Sequence, residues 1–345
     1  MNPDDFVRRS IQGMKVPAYP ASMPGFLRLD ANTSLFGENP AGSTRSGSSL
    51  VDYPSGVSTR LVTALAKYHG VSENQVIVGN GSDGLIDHLT KVFLNPGDPL
   101  VLPTPGFVMF SFYGQVNLGR IREVPLRSPH FQLDVDEMVE MGGHLTFVAS
   151  PNNPTGNPFG EKDLVHLIRQ SRGVVVLDEA YADFSDQDFT QRVNEFDNLI
   201  VLRTFSKAHG LAGIRVGYAI GSPVLIEKLY LAKAAFEVSS LHEEIAVRAL
   251  QDLGYLRTCV ETIRKERKRV SEEISTLGWK AFPSEANFLF LDVGYAPVVK
   301  AFLKERKNLV RDFPSMNSFL RVTLGPRGVN DQFLSAMREW RSKSE

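Results

Sequence analysis

The 345-residue chain balances 38 Lys+Arg against 39 Asp+Glu, a formal net charge of -1. It therefore offers no basic field for a phosphodiester backbone or an anionic bilayer, and neither nucleic acid nor membrane is an expected partner. With 42% hydrophobic and 22% charged residues, it has the composition of an ordinary globule, long enough for one large domain and a smaller one.

The single cysteine, Cys259, rules out an internal disulfide, and the seven histidines are scattered without ligand spacing. A metal centre is not expected, and a reducing cytosol suits the cysteine count. The opening Met1-Asn2-Pro3-Asp4-Asp5 lacks the basic start and apolar core of a signal peptide. No later run reaches ~18 uninterrupted apolar residues, so a cytoplasmic location is expected.

Residues 1–35 hold Pro17, Pro20 and Pro24 without sustained periodicity. They read as an extended arm of the kind that crosses onto a partner chain. The Ser/Gly-rich stretch from Gly42 to Ser49 reads as a loop. From Tyr53 to Gly221 short apolar runs alternate with helical patterns, with strands predicted at 75–78, 100–102, 145–149, 173–177, 199–202 and 214–220. Such alternation specifies an α/β domain with a mainly parallel sheet and helices on both faces, assigned to residues 36–254. Helices are predicted at 223–234 and 243–252, and a long charged helix at 255–277 leads out of the sheet domain. Beyond it, strands at 287–292 and 319–324 and helices near 296–305 and 331–341 make a small α+β domain, residues 255–345.

The segment Leu202-Arg203-Thr204-Phe205-Ser206-Lys207 sets a primary amine and two hydroxyls at a predicted strand end, with Arg215 eight residues on. Open α/β sheets bind ligands outside the carboxyl ends of their strands. A lysine amine there can attack an aldehyde, while Thr204, Ser206 and Arg215 suit a phosphate. Asp178 follows the apolar run Gly173–Leu177, where a carboxylate can pair with a pyridinium nitrogen, and Tyr181 lies close behind it. Ser150-Pro151-Asn152-Asn153-Pro154-Thr155-Gly156 is a stiff turn able to aim one amide. Val78-Gly79-Asn80-Gly81-Ser82-Asp83-Gly84 precedes a helix predicted at 85–92. Bare amides at a helix start receive anions, and the glycine spacing does not match the dinucleotide fingerprint. Taken singly, Lys207 reads more readily as an exposed loop lysine and Asp178 as a cap or turn residue, whereas a tight connection accounts for the prolines of Ser150 to Gly156 better than for the whole string.

Taken in order, Gly81-Ser82-Asp83, Ser150 to Gly156, Asp178-Glu179-Ala180-Tyr181, Thr204-Phe205-Ser206-Lys207 and Arg215 resemble fold-type I pyridoxal-phosphate aminotransferases. More narrowly they look like the histidinol-phosphate aminotransferase branch, over about Leu29 to Arg327. The resemblance implies pyridoxal 5'-phosphate carried by Lys207 as a Schiff base and Asp178 against the pyridinium nitrogen. It places Asn153 and Tyr181 on the phenolic oxygen and Phe107 stacked on the ring. The cofactor's phosphate would take the amides of Gly81 and Ser82, the side chains of Thr204, Ser206 and Arg215, and Tyr53 from the other subunit, which implies a homodimer with shared sites. The stretch Phe319 to Gly325 resembles the family's strand whose arginine clamps a substrate carboxylate, so Arg321 is the candidate, and Asn32 falls in the N-terminal substrate-contact segment. The implied reaction, in amino-acid biosynthesis, moves an amino group between an amino donor and a 2-oxo acid such as 2-oxoglutarate, with Lys207 as general base and acid.

For the substrate phosphate of the histidinol-phosphate branch, the resemblance implies Tyr19 and Arg311. The third family position, a hydroxyl or amide, falls at Phe236, followed by Glu237. Asn32-Thr33-Ser34-Leu35 replaces the family's Asn-Glu-Asn-Pro, and Gly84 stands where it has a glutamate. These departures lie on the substrate side. They leave open an amino alcohol phosphate, an aromatic or specialised-pathway amino acid, and decarboxylation of threonine phosphate on the same fold and lysine.

Overall fold

The computed structural model describes residues 23–42 and 51–344, together with the isolated residues Arg8, Ser10, Met14 and Gly47. In chain order the elements are β1 (Leu27–Arg28), α1 (Thr59–His69), β2 (Val76–Asn80), α2 (Gly81–Phe93), β3 (Pro99–Thr104), α3 (Val108–Val116), β4 (Arg120–Pro125), α4 (Val135–Glu140), β5 (Leu145–Ala149), α5 (Glu161–Gln170) and β6 (Val174–Asp178). There follow β7 (Leu199–Thr204), β8 (Val216–Gly221), α6 (Pro223–Tyr230), α7 (Ser240–Gln251), α8 (Gly254–Thr276), β9 (Lys280–Ala281), β10 (Phe288–Asp292), α9 (Ala296–Glu305), β11 (Asn308–Leu309), β12 (Arg311–Asp312), β13 (Phe319–Thr323) and α10 (Arg327–Ser344).

Among the described residues the large sheet runs β2-β8-β7-β6-β5-β3-β4. Strand β8 is antiparallel to both neighbours, and the remaining pairs are parallel. Successive side chains of a strand point to opposite faces. Val76, Val78, Val101, Val148, Val175, Leu177, Leu199 and Val201 accordingly pack into one layer with Leu61 and Leu65 of α1 and Leu164 and Leu167 of α5. Ile77, Leu100, Leu102, Phe147, Val176, Ile200 and Leu202 pack into the other with Leu85 and Leu89 of α2, Phe110 of α3 and Leu229 of α6. Strands apolar on both faces require helices on both, which gives the α/β architecture read from the sequence.

Two departures from the expected pattern shape the large sheet and its first helix. Strand β4 was not foreseen: it lies at the sheet edge beside β3, and its Arg120, Arg122 and Glu123 are exposed or half-buried. Charges that guard an edge dilute the apolar run by which a strand is recognised. Helix α2 begins at Gly81 rather than at Leu85, because Gly81 takes a φ of +71° that turns the chain straight from β2 into the helix.

The smaller sheet, β12-β13-β10-β9, is antiparallel. Along α8 the buried Leu256, Cys259, Ile263, Val270 and Ile274 recur on one face and join its core. The described part of the N-terminal stretch is tied to this layer of its own chain. Strand β1 pairs in parallel with β11, Leu29 is buried with Phe288, Leu320 and Val322, and Leu29 O accepts the Thr323 N–H at 2.8 Å. Tyr19 and most of the stretch from Gly42 to Ser49 lie outside the described residues. No helix among the described residues is long and apolar enough to cross a membrane.

Candidate active site

Alternation along β6 and β7 sends Asp178 and Thr204 to the face covered by α2, the side of Val176, Ile200 and Leu202. Asp178 is 4% exposed, and its Oδ1 accepts the Ala180 N–H at 3.0 Å. Burial pushes its carboxyl up to about 6; the Ala180 N–H opposes the shift, Asp83 adds to it and Lys207 opposes it. Beyond the end of β7, Nζ of Lys207 lies 5.6 Å from the centre of the Tyr181 ring. Thr204 Oγ1 donates to Ser206 Oγ at 3.0 Å and accepts the Ser206 N–H at 3.1 Å, so the two hydroxyls form one polar corner.

Beside this corner stand two required glycines, Gly81 for its φ of +71° and Gly217 for close approach of backbone. A Cβ at Gly81 would lie 2.6 Å from Nη2 of Arg215, and one at Gly217 would lie 2.4 Å from the Ser82 nitrogen. Arg215, at a φ of +52°, has Nη1 on the Ala212 carbonyl at 3.2 Å and Nη2 3.4 Å from Asp83. Its guanidinium is thus pressed against the first turn of α2, where Asn80 supplies no side-chain cap. Unsatisfied amides, the positive helix end and a guanidinium together form an anion cup.

The smaller sheet closes the other side. Arg321 of β13 donates through Nη1 to Asn153 Oδ1 at 2.5 Å and through Nη2 to the Asp30 carbonyl at 2.7 Å. Its buried Nε has no hydrogen-bond partner among the described residues. Burial lowers the Arg321 pKa, with Tyr181 opposing and Arg311 adding to the shift; Arg311 stands opposite it in the β12–β13 register. Asn32, at a φ of +53°, donates Nδ2 to the Tyr181 hydroxyl at 3.0 Å. Thr323 and Asn287 fix its backbone. Asn153, Arg321, Asn32 and Tyr181, far apart in sequence, therefore meet across the two sheets.

Phe107, Tyr53 and Glu237 make other contacts. Phe107 packs edge-on to Phe110 at 5.4 Å. Tyr53 is 83% exposed and stacks on Phe236 of its own chain at 4.8 Å. Glu237 turns onto the start of α2, where Oε1 accepts the Asn80 N–H at 3.1 Å.

The sequence reading missed the support behind the strands. Arg203 points to the opposite face of β7, where it meets Glu179 at 2.9 Å, Asp188 at 2.7 Å and Asp183 at 3.4 Å. Beside it, His69 bridges Thr190 at 3.1 Å and Tyr218 at 2.9 Å. The available signal was an arginine inside the apolar run Leu199–Thr204, since a charge in a buried strand needs partners.

The family model for class I and II aminotransferases matches residues 27–337. A curated relative, the histidinol-phosphate aminotransferase of Thermoanaerobacter pseudethanolicus, is 36% identical over 352 residues, covering 97% of this chain and 99% of the relative. The histidinol-phosphate aminotransferase of Thermococcus kodakarensis is 39% identical over 292 residues, covering 84% and 83%. Among solved structures, histidinol-phosphate aminotransferase from Sinorhizobium meliloti in complex with pyridoxal-5'-phosphate matches with a TM-score of 0.85 at 24% identity over 98% of both chains. L-threonine-O-3-phosphate decarboxylase from Porphyromonas gingivalis matches at 0.79 and 20% identity, over 92% of this chain and 99% of the other, so the fold alone does not separate the two chemistries. The family match spans nearly the whole chain and both relatives align over more than four fifths of it: the chain belongs to the class I and II aminotransferase family.

Proposed function

We propose that this chain is a pyridoxal 5'-phosphate-dependent aminotransferase of the histidinol-phosphate type, passing an amino group between an amino donor and a 2-oxo acid such as 2-oxoglutarate. The observation that supports it most directly is the buried Asp178 beside Lys207, next to the anion cup of Gly81, Ser82 and Arg215.

These residues fit the cofactor. A carboxyl pushed up to about 6 by burial gains most from a cation, and a protonated ring nitrogen supplies one. Asp178 would hold that proton. Asn153 and Tyr181 would hold the phenolic oxygen, with Phe107 against the ring. Gly81, Ser82, Thr204, Ser206 and Arg215 would hold the phosphate, with Tyr53 contributed by the second subunit of a homodimer. When bound, the cofactor supplies a conjugated ring that accepts the electron pair released at the substrate's Cα. Nζ of Lys207 takes the proton from that carbon as general base, and the Tyr181 ring beneath it restricts where the amine can swing. Arg321 binds a substrate carboxylate through its unpartnered Nε edge, and Asn32 keeps the Tyr181 hydroxyl in place.

Two opposed arginines, Arg311 and Arg321, suit a donor phosphate in one half-reaction and a dicarboxylate in the other. The naming of the curated relatives favours the same donor class. A biosynthetic role suits that substrate pair. The test is a half-reaction screen, adding amino donors singly to the loaded protein and following the absorbance change. Histidinol phosphate should exceed phenylalanine in kcat/KM by at least about tenfold, the worth of one good polar contact. Equal rates would overturn the donor assignment. Carbon dioxide release from threonine phosphate without a keto acid would make the chain a lyase. Multiple turnovers by Lys207→Ala would overturn the role of Lys207.

A further inference from the structure

Gly84 stands in the first turn of α2, where almost any other residue would favour the helix more. The space it leaves is filled from another segment, since a Cβ at Gly84 would lie 3.1 Å from Oε1 of Glu237. Glu237 sits between α6 and α7, and only 9% of its side chain is exposed. Its Oε1 accepts the Asn80 N–H at 3.1 Å and lies 3.7 Å from Nε2 of His88. Its Oε2 lies 3.9 Å from Nζ of Lys233, and that amine also donates to the Gly56 carbonyl at 3.1 Å. His88 is one helical turn past Gly84, so glycine and imidazole shape a slot on one face of α2.

An acidic group near a helix start offsets the positive end of the dipole and usually comes from the helix itself. Helix α2 has one of its own in Asp83; Glu237 adds a second from another segment, and it grips the amide of the residue just before Gly81. The same segment carries Phe236, on which Tyr53 stacks at 4.8 Å.

We propose that Glu237 is a positioning residue for the anion cup. Its carboxylate fixes the Asn80–Ser82 turn in the shape that presents the Gly81 and Ser82 amides beside Arg215, and position 84 is glycine because that carboxylate passes there. The inference rests on the reading of Gly81, Ser82 and Arg215 as the seat of the cofactor phosphate. Glu237 acts through a backbone N–H and does not touch the phosphate, and His88 and Lys233 face its charge from the other side.

The experiment titrates apoprotein with pyridoxal 5'-phosphate and measures amide exchange of the Asn80–Ser82 turn in the apoprotein. Glu237→Ala should weaken cofactor binding about tenfold, the scale of one charge-assisted hydrogen bond, and should speed exchange at Asn80, the amide that loses its acceptor, without speeding it in β7 or β13. Glu237→Gln, which keeps an acceptor, should recover part of the loss. Gly84→Glu alone should weaken binding by crowding two carboxylates into one slot, and Gly84→Glu with Glu237→Ala should return to within about threefold of the parent. A double variant no better than Gly84→Glu, or a Glu237→Ala protein with parental affinity and exchange, overturns the proposal. Arg215→Ala separates the two levels. Parental cofactor affinity there overturns the cup itself, whereas weak binding there with parental binding in Glu237→Ala overturns only the role of Glu237.

Discussion

Nη1 of Arg321 meets Oδ1 of Asn153 at 2.5 Å, so strand β13 of the small domain and the turn after β5 share one hydrogen bond at the centre of the site. A substrate carboxylate arriving there can use the unpartnered Nε of Arg321 as one tine of a planar fork. Lysine keeps the charge and loses the fork. Arg321→Lys should lower kcat/KM for a carboxylate donor such as glutamate by about a hundredfold, chiefly through KM. Steady-state kinetics check it, and an unchanged KM would remove Arg321 from substrate binding.

The position proposed to hold the cofactor's ring nitrogen, Asp178, carries a cost in stability. Its carboxyl is raised from 3.8 to about 6 by burial, so the folded apoprotein keeps this proton to higher pH than the unfolded chain. Stability from this group is intact below about pH 4, is lost as pH rises through about 6, and above that the buried charge costs roughly 3 kcal/mol. Asp178→Asn apoprotein should therefore have a higher Tm than the parent at pH 7.5, with the gap closing at pH 4, while cofactor affinity and turnover fall. A Tm gap that does not change with pH would contradict the assignment.

How much of this was legible beforehand follows from where each residue's partners lie. Strands apolar on both faces announced the sheet and its helices, because burial on two sides leaves an uninterrupted run such as Val174–Leu177. Strand β4, charged at the edge, left no such run. Lys207, Asp178, Tyr181 and Asn153 could be nominated from short motifs. The hydrogen bonds that gather Asn32, Tyr181, Asn153 and Arg321 span separations of more than a hundred residues, and no local pattern encodes them. Glu237 is the plainest case. Its chemistry depends on which way the side chain turns, and it turns onto α2.

The network behind the strands should dominate stability. Arg203 is buried, with Glu179, Asp183 and Asp188 around it. Burial pushes the Glu179 carboxyl up while Arg203 holds it down. Removing the arginine strands the buried Glu179 and takes the cation from the partly exposed Asp183 and Asp188, so Arg203→Met should destabilise the apoprotein by about 3–5 kcal/mol in denaturant unfolding. A loss below about 1 kcal/mol would show that the network is not under strain from its own burial.

Gly217 tests the cup by geometry. A Cβ there would meet the Ser82 nitrogen at 2.4 Å and the Gly81 carbonyl carbon at 2.5 Å, and backbone cannot step aside as a flexible side chain can. Gly217→Ala should weaken cofactor binding at least about tenfold by displacing the first turn of α2. Gly213→Ala, where a Cβ meets nothing within 4 Å, is the matched control and should bind like the parent. Similar affinities for the two variants would separate this turn from cofactor binding.

Arg311 tests the substrate. It stands across from Arg321, and the neighbouring Asp312 is taken by Lys300 at 2.6 Å. Among the described residues no carboxylate pairs with Arg311 in an ion pair, so two guanidinium groups face each other with one of them buried, and Arg311 lowers the Arg321 pKa. A like-charge pair of this kind is relieved when an anion binds between its members. A phosphate brings more charge than a lone carboxylate and gains more from the second arginine. Arg311→Gln should therefore cut kcat/KM for histidinol phosphate by about 10- to 100-fold while changing that for phenylalanine by less than about threefold. The ratio of the two donors is the quantity to read, because a general disturbance of the small domain lowers both together. An equal loss for both donors would assign Arg311 to the scaffold and leave the phosphate without a second cation.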